Sequence, residues 1–464
     1  MSEGAEVWLV RHARTEANAA GIWQGRTESG VDAVGEGQIA ALAARLAREQ
    51  FDLILSSPLQ RARQTAKVFG DPIIEADLVE IDLGRWDGLT TAELIDSHRP
   101  DLEAFARGEE VPLGGSGETP QQITMRIESI VDRIFERLSP GQRAVVVTHG
   151  GVLDAVTQRS FGRDASGRRI GGLTDNTGIT RLIRRFGSNR LVTFNDTGHL
   201  GPRPAALSAA LARDRAGMVL VRHGQTRANV ERRWQGHSDW GLDAVGRRQV
   251  RALAEWYGRP DRVVTSPLGR ALETARGLGS DPEVIDGLVE LGFGEWEGLT
   301  VEEVRSSHST LFDRIFVDGQ DLARGVTGES WAQLTARFRA AIDSINPGRG
   351  MLTAVVTHGA AIRSYLADLS GAGWAAAGRW ETPANSSVTH LVLSERGPLI
   401  VDYSSAIHLE GLEGVSADLE SPQPESTKLG SDELRSGKLR SGKLSSTKVS
   451  TGEHPGHEPG KGEG

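Results

Sequence analysis

The sequence contains one long internal repeat, and this repeat restricts the possible folds more than any other feature. Five segments of the first half return in the same order in the second half. The separation is nearly constant, with His12 and His223 lying 211 positions apart and His149 and His358 lying 209 apart. Solenoid and propeller repeats span only about 20–50 residues. A much longer period therefore indicates two copies that each have a complete core.

The repeat divides the 464 residues into four parts. We expect a first domain at residues 1–200 and a second domain at residues 216–412. The Pro and Ala residues between them predict a short, partly helical linker at 201–215. From residue 413 to residue 464 the composition shifts to Ser, Lys, Glu, Gly and Pro. This tail is predicted to be disordered, because it has too few apolar residues to form a core.

Within each copy, short apolar runs alternate with amphipathic helical patterns, which predicts an α/β sheet with crossover helices. The strands of the first copy are expected at 7–10, 53–55 and 144–147. Ser57 before Pro58 and Thr119 before Pro120 are typical of helix N-terminal pairs. Arg61 is therefore expected in the first turn of a helix that follows a strand.

Composition and charge exclude several classes of function. The chain has no cysteine, so disulfides, thiolate metal ligands and cysteine nucleophiles are excluded. Its formal net charge of −9 lacks the positive field of a non-specific nucleic-acid binder. The N-terminus does not resemble a signal peptide, and no apolar run approaches the ~18 residues of a membrane span. We expect a cytoplasmic protein with no nucleic-acid or membrane partner.

Charged and polar side chains follow three of the repeated strands at the point where each strand ends. Because the carboxyl ends of strands in open α/β sheets meet at a common crevice, we expect one site in each copy. The expected residues are Arg11, His12, Asn18, Arg61, Glu80 and His149, and again Arg222, His223, Asn229, Arg270, Glu290 and His358. Two guanidinium groups, two imidazoles and one carboxylate suit a tetrahedral dianion, since arginine binds phosphate oxygens bidentately.

This set of groups predicts phosphoryl transfer. A neutral imidazole can attack phosphorus if a hydrogen bond holds its other nitrogen. The opposite imidazole and the arginines would stabilise the transferring group, and the carboxyl group would protonate the leaving oxygen. The chemistry requires no metal and no cofactor. His454 and His457 lie in the tail and are interpreted as part of its polar composition rather than as a metal site.

The segments at 11–18, 57–66, 80–90 and 147–150, with their second copies, resemble the motifs of the histidine phosphatase superfamily, also called phosphoglycerate-mutase-like. The resemblance implies two tandem three-layer αβα domains and a phosphohistidine intermediate. By motif position it makes His12 and His223 the nucleophiles, and Glu80 and Glu290 the proton donors. It assigns phosphate binding to Arg11, Asn18, Arg61 and His149, and to Arg222, Asn229, Arg270 and His358.

The first copy departs from the family pattern at two places. Ala13 stands where Gly224 keeps a glycine, and Asp87 stands where Glu297 keeps a glutamate. Both copies place the acid and the second histidine only 69 and 68 residues apart, without the insertion of the sugar-acid mutases. This short form resembles the broad-specificity and α-ribazole phosphatases. It favours hydrolysis of a small phosphorylated metabolite.

Two other functions remain open from the sequence. One is a phosphoglycerate mutase-type isomerase, and the other is a copy that binds a phosphate ligand without catalysis. The segments 102–117 and 311–327 differ between the copies, which predicts different ester preferences. We also expect the two copies to pack against each other in cis.

Overall fold

A computed structural model describes residues 4–107, 109–162, 164, 168–185 and 187–412. The predicted tail, with His454 and His457, lies outside these residues. No helix in these ranges is both long enough and apolar enough to cross a membrane.

The first copy forms a six-stranded sheet with the order β3-β2-β4-β1-β5-β6. In this order, the first four strands pair with one another in parallel, and each of the last two pairs antiparallel with the strand before it. The strands are β1 (Ala5–Arg11), β2 (Leu53–Ser56), β3 (Ile73–Ile74), β4 (Arg143–Thr148), β5 (Ile179–Arg185) and β6 (Ser188–Asp196). The predicted strands at 7–10, 53–55 and 144–147 lie within β1, β2 and β4, and are confirmed.

Helices cover both faces of this sheet. They are α1 (Glu16–Ala19), α2 (Ala33–Leu46), α3 (Gln60–Ala66), α4 (Thr91–Ser97), α5 (Arg99–Arg107), α6 (Pro120–Glu136) and α7 (Gly150–Phe161). Alternate residues of β1 pack against the two helical layers, because successive side chains of a strand point to opposite faces of the sheet. Val7 and Leu9 pack in the cluster that contains α6 and α7, and Val10 packs with α2 and α3. The first copy therefore has three layers.

One of the two predicted helix starts is correct. Thr119 caps α6, since its hydroxyl accepts the N–H of Gln122 at 3.3 Å and Pro120 is the first helical residue. Ser57 does not cap α3, which has Leu59 at its cap position and begins at Gln60. The prediction for Ser57 was wrong because its hydroxyl contacts a buried histidine, as described below.

The second copy repeats this architecture, with the strand order β12-β11-β7-β10-β8-β9. Its strands are β7 (Gly217–Arg222), β8 (Arg262–Thr265), β9 (Glu283–Val284), β10 (Leu352–Thr357), β11 (Val388–Val392) and β12 (Leu399–Ile400). A helix in the predicted linker, α8 (Ala205–Ala212), packs Leu207 into the core of this second sheet. The remaining helices are α9 (Arg227–Val230), α10 (Ala244–Tyr257), α11 (Gly269–Leu278), α12 (Val301–Ser307), α13 (Ser309–Phe316), α14 (Trp331–Ser344) and α15 (Gly359–Leu369). The predicted α/β class with two αβα copies is confirmed.

The two copies contact each other through equivalent segments. Phe194 on the edge strand β6 and Tyr403 exchange two backbone hydrogen bonds of 3.1 and 3.0 Å. Phe194 and Tyr403 lie 209 positions apart, the same separation as the second histidines. Two further backbone bridges join residue 171 to residue 400 and residue 191 to residue 380. The same offset of 209 relates residue 171 to residue 380 and residue 191 to residue 400, so each bridge is the equivalent of the other. The contact therefore has the self-complementary character of a twofold dimer interface, and it covers a sheet edge that would otherwise be open.

We predict that Phe194→Ala lowers the free energy of unfolding by about 3–5 kcal/mol, the usual cost of removing a buried phenyl ring. Phe194 is fully buried, and its ring lies 4.8 Å from that of Phe161. Leu173 is 69% exposed and supplies the control, because Leu173→Ala should change stability by less than about 0.5 kcal/mol. Urea denaturation of both variants measures the difference, and equal midpoints would contradict the burial of this ring.

Candidate active sites

The two histidines of the first copy meet because β1 and β4 are neighbouring parallel strands. Val10 pairs with Val147 and Arg11 with Thr148, so both strands end at the same edge of the sheet. The backbone N–H of His12 donates to the carbonyl of Thr148 at 2.9 Å. The ring centroids of His12 and His149 are consequently only 5.2 Å apart. The second copy repeats the arrangement, with 5.1 Å between His223 and His358.

A backbone hydrogen bond fixes the tautomer of the first histidine in each copy. The Nδ1 atom of His12 lies 2.8 Å from the carbonyl oxygen of Ala13, and that of His223 lies 2.7 Å from Gly224. A carbonyl can only accept, so Nδ1 carries the hydrogen and Nε2 keeps its lone pair. In the second copy Arg270 Nε donates to Nε2 of His223 at 3.3 Å, which agrees with this assignment.

The surroundings of these imidazoles keep them neutral. Burial, followed by the nearby positive charges, lowers the pKa of each ring well below its usual value. The four rings that share this shift are His12, His149, His223 and His358. A neutral ring with a lone pair on Nε2 is the form that can act as a nucleophile.

The two helix arginines, Arg61 and Arg270, are completely buried and are held by backbone carbonyls. Nη1 and Nη2 of Arg61 donate to the carbonyls of Thr27 at 2.9 Å and Gly25 at 2.8 Å. Arg270 makes the matching pair of contacts in the second copy. These carbonyls belong to the repeated loops at 23–27 and 234–238. The loops orient each guanidinium group beside the first histidine.

The strand arginines complete the positive side of each site. Arg11 donates to the carbonyl of Thr174 at 2.5 Å, and Arg222 donates to that of Pro383 at 2.6 Å. Burial lowers the pKa of Arg222 and Arg270 to about 10, so both remain charged at neutral pH. Each site therefore holds two fixed cations next to two neutral imidazoles, a combination that attracts a phosphate dianion.

The carboxylates lie at the N-terminal ends of the helices that follow the second histidines. Glu80 accepts the backbone N–H groups of Ile81 at 2.8 Å and Gly151 at 3.0 Å. Burial raises the pKa of Glu80, while these hydrogen bonds and the arginines act in the opposite direction. Glu290 accepts N–H groups from Leu291 and from the first turn of α15. The structure thus places both predicted acids beside the histidine pairs.

The predicted asparagines have one hydrogen-bonding group available for a ligand. The Oδ1 atom of Asn18 accepts the N–H of Thr15 at 3.3 Å, and Asn229 is engaged in the same way. The amide Nδ2 of Asn176 also donates to Oδ1 of Asn18 at 3.2 Å. Since Oδ1 is occupied, Nδ2 is the atom of each asparagine that can donate to a phosphate oxygen.

Sequence reasoning missed two pairs of residues that hold these groups. Asn176 and Asn385 donate to the backbone carbonyls of His12 and His223 at 2.9 and 3.0 Å. Ser57 and Ser266 lie 2.7 and 2.8 Å from Nε2 of the second histidines. Both pairs are 209 positions apart, as the second histidines are. The repetition of these residues is visible in the sequence, but the groups that they contact are not.

The two departures of the first copy preserve the local geometry. Asp87 accepts the N–H groups of residues 25–27, each at 3.0 Å, and Glu297 accepts those of residues 237 and 238. The shorter carboxylate therefore holds the same loop. The N–H of Ala13 donates to Thr65 at 2.9 Å, just as Gly224 donates to Thr274 at 3.0 Å. Ala13 has no positive φ, so its methyl group causes no backbone strain.

Comparison with known sequences decides the family. The sequence model described as the histidine phosphatase superfamily, branch 1, matches residues 7–197 and 218–405. The chain belongs to this superfamily. The predicted family is therefore confirmed, with one histidine phosphatase match in each copy.

Three curated relatives match parts of this chain. A bifunctional protein of Mycobacterium tuberculosis is 40% identical over 157 residues, which cover 32% of this chain and 43% of that protein. A metal-independent phosphoserine phosphatase of Arabidopsis thaliana is 35% identical over 207 residues, covering 43% of this chain and 84% of the relative. An adenosylcobalamin/α-ribazole phosphatase of Salmonella typhimurium is 32% identical over 158 residues, covering 33% and 78%. The chain thus spans less than half the length of its mycobacterial relative.

The buried neutral histidines predict that the protein loses stability as pH falls from 7 to 5.5. Unfolded histidines take up protons near their usual pKa of about 6.5, whereas the buried rings do not. Stability is therefore complete above this pKa and decreases below it, by about 1 kcal/mol for each such ring at pH 5.5.

Urea denaturation at pH 7.0 and 5.5 measures this loss. The double variant His149→Gln, His358→Gln is the control, because it removes two of the four rings and should weaken the pH dependence. A stability that is equal at both pH values would contradict the neutral state of the histidines.

Proposed function

We propose that both copies, bounded as expected at 1–200 and 216–412, hydrolyse phosphomonoesters of small metabolites through a phosphohistidine on His12 and on His223. The observation that carries the proposal is the fixed tautomer of these rings. Their Nδ1 atoms are committed to a carbonyl oxygen, and in the second copy Nε2 of His223 accepts a hydrogen bond from the buried Arg270. Membership of the histidine phosphatase superfamily supports the same reaction.

The phosphate dianion binds first to the cations. In the first copy, Arg11 and Arg61 neutralise its charge, and Asn18 donates through Nδ2. The neutral ring of His149 has a buried Nδ1 with no hydrogen-bond partner among the described residues, so this nitrogen can face an equatorial phosphate oxygen. Arg222, Arg270, Asn229 and His358 take these roles in the second copy.

The transfer then proceeds in two steps. Nε2 of His12 attacks phosphorus, the ester P–O bond breaks, and the leaving oxygen takes a proton from the carboxyl group of Glu80. Burial raises the pKa of Glu80, which favours the protonated form that this step needs. Water then attacks the phosphohistidine, Glu80 accepts its proton, the P–N bond breaks, and inorganic phosphate leaves. His223 and Glu290 perform the same steps.

Hydrolysis is favoured over isomerisation because each copy joins its acid to its second histidine by a short segment. Only 69 and 68 residues separate them, without the insertion that the mutases carry. The relatives named as phosphoserine and α-ribazole phosphatases agree with this choice.

The histidines supply the main test. Labelled phosphate from an ester substrate should form an acid-labile phosphoenzyme at two sites per chain. His12→Ala and His223→Ala should each remove one site. The double variant should lose the label and lower phosphate release by at least about a thousandfold, since the nucleophile acts as a unit with its partners.

Each alternative has its own result. Label retained in the double variant would exclude these residues as the nucleophiles. A copy that never accepts label would be a phosphate-binding module. Conversion of 3- to 2-phosphoglycerate with little phosphate release would indicate a mutase.

Asp87 tests how the first site is held together. In a His223→Ala chain, Asp87→Ala should lower kcat/KM roughly tenfold to a hundredfold, because small displacements of a positioned group have effects of this size. The displaced group is Arg61, whose loop carbonyls Asp87 holds in place. Asp87→Glu restores the residue type of Glu297 and should keep most of the activity. Equal losses in both variants would contradict this positioning role.

A further inference from the structure

The second site opens into a cavity that is lined by more arginines than one phosphate needs. The cavity measures about 100 Å³ and adjoins His223 and Glu290. Its lining includes one carboxylate, Glu290, and six arginines: Arg190, Arg222, Arg233, Arg270, Arg324 and Arg363. Arg222 and Arg270 already match the two charges of a phosphate dianion. Of the other four, Arg190, Arg233 and Arg324 each form an ion pair with a carboxylate, and Arg363 forms none with the described residues. A further negative group on the same ligand would therefore bind to Arg363 and to N–H groups that these ion pairs leave unused.

Two of these additional arginines are buried, and each has an N–H group that has no hydrogen-bond acceptor among the described residues. Arg363, in α15, is 9% exposed and donates through Nη2 to the carbonyl of Ala377 at 2.5 Å, while its Nε has no partner there. Arg324 is 1% exposed and donates to Asp321 at 2.7 Å, while its Nη2 has none. A buried donor that lacks an acceptor is costly, so both groups favour an anionic oxygen.

Aromatic side chains enclose these cations. The guanidinium group of Arg324 lies 4.6 Å from the ring centroid of Trp374, and that of Arg363 lies 5.6 Å from Trp331. The aromatic residues of the lining are Trp234, Phe293, Phe316, Trp331 and Trp374. They exclude water from the cavity walls, and charge-assisted hydrogen bonds are stronger where the local dielectric is low.

The first copy lacks both cations. By the offset of the second histidines, Asp154 stands at the position of Arg363, and it forms an ion pair with Arg169. Leu113 stands at the position of Arg324, since the backbone contact of Leu113 with Glu118 matches that of Arg324 with Glu329. The two sites therefore differ in charge at two equivalent positions, although their histidines, phosphate-binding arginines and acids match.

The first copy also contributes to the second cavity. Arg190 belongs to β6 and lies in the lining of the second site, 3.4 Å from Glu381 of the second copy. The cavity is thus completed by the contact between the copies, and it has to be tested in the full chain.

We propose that the second copy selects phosphomonoesters that carry a carboxylate, bound by Arg324 and Arg363, and that the first copy does not select for this group. A carboxylate fits a cavity of this size and offers two oxygens to the two arginines. The proposal rests on the proposed hydrolase function and names the substrate class of one of its two sites.

A matched pair of esters tests the selection. 3-Phosphoglycerate and glycerol 3-phosphate differ only in a carboxylate against a hydroxymethyl group. In the full-length His12→Ala chain, where the second site alone turns over, kcat/KM should favour 3-phosphoglycerate by about 10- to 100-fold, the range of a charged hydrogen bond. In the His223→Ala chain the ratio should stay near one. Equal ratios in the two chains would overturn the proposal.

Substitutions identify the residues responsible. In the His12→Ala chain, Arg324→Leu introduces the residue type of Leu113, and Arg363→Gln removes the second charge. Each should raise KM for 3-phosphoglycerate and reduce the ratio about tenfold. Arg339→Leu, on the outer surface of α14, is the control and should leave the ratio unchanged. Ratios unaffected by Arg324→Leu and Arg363→Gln would overturn the assignment.

Binding separates this proposal from the hydrolase proposal. The hydrolase function fails if no phosphoenzyme forms on His12 or His223, and calorimetric titration of the unmodified chain then still tests the carboxylate site. Tighter binding of 3-phosphoglycerate than of glycerol 3-phosphate, lost in Arg324→Leu together with Arg363→Gln, would support the site. Equal binding of the two esters would overturn it.

Discussion

The parallel pairing of the first and fourth strands of each copy determines the rest of the site. Val10 and Val147 share a register position in the first copy, and Val221 and Val356 share one in the second. These strands are buried on both faces, so their register is strongly specified. A shift by one residue would turn His12 to the opposite face of the sheet. The short distance between the two imidazoles therefore depends on packing in the layers above and below them.

The arginines have two effects within the same small volume. They attract a dianion, and together with burial they lower the pKa of the neighbouring histidines, which keeps the nucleophile neutral before substrate arrives. The backbone contributes the orientation, because carbonyls at residues 25 and 27 hold Arg61 and the carbonyl of Ala13 holds His12. A chain with a net charge of −9 thus contains two local regions of positive charge. Net charge predicts the class of partner, and the local arrangement predicts the chemistry.

The sequence was sufficient to predict the fold class. It also predicts twelve site residues, because the carboxyl ends of parallel strands meet at one edge of a sheet. It was insufficient where a residue has two possible partners. Ser57 has the residue type and position of a helix cap, but its hydroxyl lies 2.7 Å from the buried ring of His149. The contacts of Asn176 arise only after distant segments meet. Arg324 and Arg363 were missed because they differ between the copies, and comparison of the copies draws attention to what they share.

The contact at Phe194 and Tyr403 has a consequence for how the two sites can diverge. It joins equivalent segments, as the interface of a dimer of identical chains does. In such a dimer every substitution appears in both subunits at once, and both active sites change together. Here Asp154 and Arg363 occupy equivalent positions within one polypeptide. Because the two copies are covalently joined, the twofold contact is kept while the residues of each site can change independently. One molecule can therefore carry two specificities in a fixed one-to-one ratio.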